Sequence, residues 1–167
     1  MILRGAKVFL VGGVGVLALL IGLDNIFDYE TNFAAVRHIL SMDTIPRASP
    51  FLWRAIHNEA AHQLAYAFII AAELCAGALC LAGAARLARA RKENGRAFNE
   101  AKGVAILGLV IALSLYFVGF TVIGGEWFQM WRSDGWNMQE PAFRFVGAVG
   151  IMLLFLTQGD GDLPAGQ

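Results

Sequence analysis

Charge is scarce in this chain. Asp, Glu, Lys and Arg supply 16% of its 167 residues and hydrophobic residues 57%, a balance far more apolar than that of a soluble domain of this size. The shortage is also uneven, because charges cluster in a few segments separated by runs that hold almost none. Cysteine is nearly absent: Cys75 and Cys80 are the two, and both fall inside an apolar run. That excludes a disulfide framework or a cysteine-rich metal site. There is no glycine-rich phosphate loop and no zinc motif of the metalloprotease type, and no internal repeat. Nucleic-acid binding has no support beyond one basic segment.

What remains is apolar runs. Val8 to Leu23 follows Arg4 and Lys7 and resembles a signal peptide, but no small-x-small cleavage site comes after it, so it reads as a retained span with Lys7 snorkelling at one end. A second run lies between Glu59 and Arg86, long enough for about 30 Å of hydrocarbon and interrupted only by Glu73. Gly103 to Gly125 carries no charge. Phe145 to Gly159 is shorter, but Pro141 suits a first helical turn and Arg144 can snorkel from it. The fold class expected is therefore an all-α membrane protein. It is one four-helix transmembrane bundle, with spans at about 5–26, 60–85, 103–125 and 141–159 and a basic loop at 86–102.

Lys and Arg resist translocation, so their distribution orients the bundle. Arg4, Lys7, Arg86, Arg89, Arg91, Lys92, Arg96 and Lys102 fall on one side, against Arg37, Arg47, Arg54, Arg132 and Arg144 on the other. The reading is a multi-pass protein of the inner, cytoplasmic membrane with both termini cytoplasmic. Residues 27–58 and 126–140 then form an outer cap. Within it Asn32 is placed to cap a short interfacial helix whose Phe33, Val36 and Leu40 share a face. Ser49 and Pro50 are a start signal for the second span, and the last residues, "QGDGDLPAGQ", read as a frayed tail.

All four tryptophans (Trp53, Trp127, Trp131, Trp136) and all three histidines (His38, His57, His62) lie on the outer side. An aromatic belt would place indoles at both interfaces. Their absence from the cytoplasmic side points instead to a cap in which "EWFQMW" packs on the interfacial helix, or to a docking surface of the kind where Trp and Arg carry the energy. At similar depth, Glu126 and Arg144 are expected to pair and close the outer end.

In span two, Glu59, His62, Tyr66, Glu73, Gly77 and Cys80 fall within a sector of about 60°. This polar stripe has to face protein or water, because an acidic side chain in mid-membrane costs roughly 2.5–3.5 kcal/mol on insertion scales. Glu73 is therefore either a functional acid or a hydrogen-bonding partner for a neighbouring helix. His57 and His62 are five positions apart, about 140° around a helix, so one helix cannot aim both inward at a heme. Gly12, Gly15, Ala18, Gly22 and Asn25 recur down one face of span one, and Gly147 and Gly150 offer a similar face in span four. No catalytic constellation, metal set or cofactor site emerges.

The segments "FDYETN", "HILSMDT", "WRAI", "AAELC" and above all "GGEWFQMWRSDGWNMQEPAFR" resemble a bacterial family of predicted small integral membrane proteins, classed as a domain of unknown function. The resemblance covers nearly the whole chain and implies four membrane helices, with no reaction attached. The functional expectation is a non-enzymatic accessory or scaffold subunit whose partners are the lipid bilayer and another membrane protein or a second copy of itself. The alternative is a proton-coupled carrier or small-solute channel built on Glu73, His62 and Tyr66. A third reading is a quinone or heme electron-transfer subunit.

Overall fold

The structure is a computed structural model that describes residues 1–163. It is all helical there, with four helices long and apolar enough to cross a membrane. Helix α1 (Ile2–Phe27) breaks for one residue at Asp28 and resumes as α2 (Tyr29–Ser41). A 3-10 turn at Leu52–Arg54 leads to α3 (Glu59–Ala90). A short α4 (Gly95–Glu100) precedes α5 (Gly103–Ser114), which continues as a wider π-type segment, Leu115–Trp127. A second 3-10 turn, Met130–Arg132, precedes α6 (Gln139–Thr157).

Helix α3 is the centre of the bundle, held by α1 on one side and α5 on the other. Hydrocarbon solvates leucine as well as a protein interior does, so these contacts draw on close packing rather than on the hydrophobic effect. Small residues make that packing possible. On α1, Gly15 receives Leu81: a Cβ at position 15 would lie 2.9 Å from the Leu81 Cγ and 3.0 Å from its backbone nitrogen. Gly22 receives Leu74 in the same way, and in the reverse sense Gly77 of α3 receives Leu19 of α1. Gly12 sits over Ala84 with more room, 3.8 Å between β-carbons. On the other side of α3, a Cβ on Gly83 would lie 2.5 Å from the Ala105 backbone nitrogen, and one on Gly108 2.8 Å from that of Cys80. Helix α6 completes the bundle against α5 and the π segment, with Phe145 stacked on Tyr116 at 4.3 Å.

Several expectations need correction. The helix-packing face expected on α1 is found, with Gly12, Gly15 and Gly22 against α3, but the similar face expected on α6 is not. A β-carbon on Gly147 or Gly150 would meet nothing within 4 Å, so α6 gains no close contact from them. Asn32 lies inside α2, where its Nδ2 donates to the Asp28 carbonyl at 3.4 Å, because the helix restarts at Tyr29 rather than at residue 33. Ser49 and Pro50 precede only the 3-10 turn. The cap of α3 is Asn58, whose Oδ1 accepts from Ala61 N at 3.2 Å. The segment 86–102 is mostly helical, since α3 runs to Ala90 and α4 follows.

The largest correction is at the basic end. Lys7 does not snorkel: it is buried, and its Nζ donates to Asp160 Oδ2 at 2.5 Å and to the Gln158 carbonyl at 2.9 Å. Lys102, also buried, donates to the same carboxylate oxygen and the same carbonyl, each at 2.6 Å. Arg4 donates to the carbonyls of Arg91, Glu93 and Gly161. Asp162 accepts from Gly95 N at 2.7 Å, where a side chain at position 95 would meet the Asp160 carbonyl. Residues 158–162 are thus a latch rather than a frayed tail; residues 164–167 lie outside the described residues. Charges leaving water here are repaid by pairing, which is the condition under which buried ions persist.

Burial alone would raise the Asp160 pKa, but hydrogen bonds and charge from Lys102 and Lys7 outweigh it and hold the carboxyl below its ordinary 3.8. A depressed acid contributes stability above its unfolded pKa and loses it as pH falls through the folded one. The latch is therefore expected to hold from neutral pH down past 3.8. Hydrogen exchange at residues 158–162 should show protection over that range in the wild type and none in Asp160→Asn. A second test compares glycines: Gly77→Val should cost about 1–3 kcal/mol by overpacking against Leu19, and Gly147→Ala less than about 0.5 kcal/mol, read by thermal unfolding in detergent.

Candidate functional site

Two places in the bundle gather candidate functional side chains. The first is intramembrane. Glu73, near the middle of α3, is only 3% exposed. Its Oε2 accepts from Asn25 Nδ2 of α1 at 2.6 Å, and its Oε1 from the Tyr116 hydroxyl of the π segment at 3.3 Å. Tyr66, two turns before Glu73 on α3, donates to the Asn25 carbonyl at 2.8 Å and packs edge-on against Tyr29 of α2. One carboxyl thus fastens three elements together. Gly22 is what lets it do so, since a Cβ there would lie 3.4 Å from that of Glu73, one turn from Asn25. Chemically the cluster is an acid held between an amide and a phenol, a group that can hold or pass a proton.

The polar stripe of α3 divides on inspection. His62, Tyr66, Glu73, Gly77 and Cys80 are buried, whereas Glu59 is exposed at the helix start. His62 bonds the Ile56 carbonyl through Nε2 at 2.7 Å, and its Nδ1 stands 3.8 Å from Glu59, beyond hydrogen-bond reach. His62 lies eleven positions before Glu73, about 16 Å along the helix, so the histidine is not part of the acid's cluster. Asn25 and Tyr116 were the partners that sequence patterning did not supply.

The second place is the cap. Met42, Ile45 and Phe128 form its small core, with Phe51 and Leu52 packed against them. Three polar tethers join its two chain segments: Thr44 Oγ1 with Ser133 Oγ at 2.6 Å, Arg132 Nη1 to Ser49 Oγ at 3.0 Å, and Arg54 Nη1 to the Trp127 carbonyl at 3.1 Å. The Arg54 guanidinium also lies over the rings of Phe51 and Trp127, at 4.3 and 4.6 Å, and near Trp53. Trp53 and Trp127 meet edge to face at 5.9 Å. Trp53, Trp127 and Trp131 nonetheless stay 71%, 47% and 51% exposed. Trp136 is half-buried, stacked on His38 at 4.6 Å, and His38 in turn bonds Asp43 at 2.9 Å. Met42 and Gln129, the two non-glycine residues at positive φ among the described residues, both belong to the cap.

The expected pair of Glu126 and Arg144 does not form. Helix α6 begins at Gln139, which sets Glu140 one turn before Arg144, and the local partner wins: Arg144 Nη2 donates to Glu140 at 2.6 Å on the exposed face. Glu126 is exposed and only its carbonyl is engaged, by Gln129 Nε2. Between α2, α3 and the π segment lies a cavity of about 590 Å³ with only apolar side chains in its lining, among them Val36, Phe68, Phe120 and Phe128. It includes none of the polar cluster. Among the described residues no three His, Cys, Asp or Glu side chains converge on a metal-sized point.

Four apolar helices with α3 at their centre, and with charge gathered at the two ends apart from the buried Glu73, define a small multi-pass integral membrane protein. More particularly, the chain belongs to the family described as "Predicted small integral membrane protein (DUF2165)", whose model matches residues 3–159. No curated protein matches it, and no solved structure does.

The polar cluster predicts a measurable coupling. In a double-mutant cycle of Asn25→Ala and Glu73→Ala, read by unfolding in detergent, the two residues should couple by about 0.6–1.7 kcal/mol, the range for hydrogen bonds between membrane helices. Additive effects would mean that the pair does not form.

Proposed function

We propose that this protein is a non-enzymatic accessory subunit of a larger assembly in the inner membrane, docking another membrane protein through the tryptophan-rich cap. The observation that carries the reading is the exposure of Trp53, Trp127 and Trp131 on a support that is itself buried and tethered. Tryptophan and arginine are the residues that concentrate binding energy at interfaces, and here Arg54 is already held between two of the indoles. Rigid indoles lose little entropy on docking. Left-handed backbone at Met42 and Gln129 adds support, since such strain gathers at functional sites. The proposed orientation, with both termini cytoplasmic, rests on the distribution of basic residues, and it puts the cap on the outer face. The glycine face of α1 is not part of the docking surface, because α1 uses it against α3.

A second reading has one observation in its favour. Glu73 is a buried acid joined to two helices, which is the arrangement a proton-coupled carrier would use. Purified protein in liposomes would then carry proton flux that Glu73→Gln abolishes, whereas an accessory subunit shows none in either form.

The docking reading is tested by native mass spectrometry of the tagged protein, extracted gently at its natural expression level. A stable larger complex is expected, and Trp53→Ala with Trp127→Ala should release the subunit from it while leaving its own unfolding temperature within a few degrees. A lone monomer or homo-oligomer from wild-type cells would contradict the proposal.

A further inference from the structure

At the basic end, the last turns of α3 and the segment containing the short α4 border a shallow, open cleft of about 440 Å³. Arg86, Arg89 and Glu93 stand on its rim, and Ala90, Ala97 and Ala101 make its floor. Both arginines are exposed, and neither guanidinium donates to an acceptor or lies over a ring among the described residues. Arg91 and Lys92, just outside the cleft, are likewise exposed and form no side-chain bond among the described residues, whereas the other basic residues nearby are engaged. Arg4, Lys7 and Lys102 are consumed by the latch, and Arg96 pairs with Glu100 at 2.9 Å.

Retention of positive charge on one side of a membrane requires basic residues in the chain, but it does not require two of them to line one cleft beside a single carboxylate, Glu93, with which neither forms an ion pair among the described residues. We infer that this cleft binds the phosphate of an anionic phospholipid headgroup, with Arg86 and Arg89 as its ligands. Guanidinium forks suit phosphate oxygens. The position suits a lipid, since α3 is a membrane-crossing helix and the arginines occupy its last turns, where headgroups lie. The floor separates a lipid from free phosphate. Three alanine methyls offer nothing to an inorganic anion but accommodate a glycerol backbone and its first methylenes. Glu93 on the same rim repels a multiply charged anion and can accept from a headgroup hydroxyl, which favours a singly charged, hydroxyl-bearing headgroup such as that of phosphatidylglycerol.

The test is native mass spectrometry of the full-length protein in detergent, titrated with phosphatidylglycerol or with phosphatidylcholine of the same acyl chains. Wild type should retain phosphatidylglycerol at least about fivefold more strongly, the preference that one surface arginine supplies. Arg86→Gln with Arg89→Gln should abolish the preference, while Arg91→Gln with Lys92→Gln, an equal loss of charge outside the cleft, should keep it. Circular dichroism checks each variant, and the single Arg89→Gln substitutes should the double fail to fold. Equal loss in both double variants, or no preference in wild type, overturns the inference. Displacement of the lipid by excess inorganic phosphate assigns the cleft to the free anion and overturns the lipid as its ligand.

Discussion

The approach of α1 to α3 is the contact on which the rest of this bundle depends. Leu81 and Leu74 fill the spaces over Gly15 and Gly22, and Leu19 fills the one over Gly77, so the two backbones lie as close as side chains permit. In a bilayer that closeness is the source of stability, because burial from lipid confers none of the hydrophobic gain that burial from water does. It also sets register. With Gly22 against Leu74 and Glu73, Asn25 arrives one turn later at the carboxyl, and Tyr66 reaches the Asn25 carbonyl from below. At the opposite end, the same alignment delivers Arg4 and Lys7 to the turn after α3 and to the segment after α6. Shifting α1 by one residue would break both.

The bundle therefore has two chemically different ends tied to one interface. At the basic end, buried cations are satisfied by carbonyls and by Asp160, and among the described residues Arg86, Arg89, Arg91 and Lys92 beyond the latch remain exposed and unpaired. At the other end the polar tethers are neutral or single, and aromatic rings take their place. An indole can stay exposed at low cost where its edge or face is supported, and Arg54 and Phe51 provide that support. The cap is thus stiff underneath and apolar outside. That combination is the one on which the proposed docking role rests.

Much of this was legible in the sequence, and the limits have physical causes. The apolar runs, and the sidedness of tryptophans and basic residues, follow from bilayer thickness and from interfacial preferences, which act on each residue separately. A helical period identified the inward face of α3 around Glu73 and the small-residue face of α1. A period locates a face and says nothing of its neighbour, so Asn25 appeared only as a member of the glycine stripe and Tyr116 not at all. The pair of Glu126 and Arg144 failed because a partner one turn away on α6 outcompetes one across a loop. The latch was missed because counting basic residues treats Lys7 and Lys102 as solvated; Asp160 returns to them only through the fold. Ser49 and Pro50 were a sound start signal, but for a single 3-10 turn.

The interlock of α1 and α3 can be tested by cross-linking. In a chain with Cys75→Ala and Cys80→Ala, Gly12→Cys and Ala84→Cys place two thiols on β-carbons about 3.8 Å apart, the mean separation for a disulfide. Mild oxidation should then give an intramolecular bridge in the monomer, and moving the first cysteine to Gly13, on the exposed side of α1, should abolish it. Bridges that form only between chains, or equally well from Gly13, would show that the glycine face of α1 meets another molecule and that α1 and α3 do not interlock within one chain.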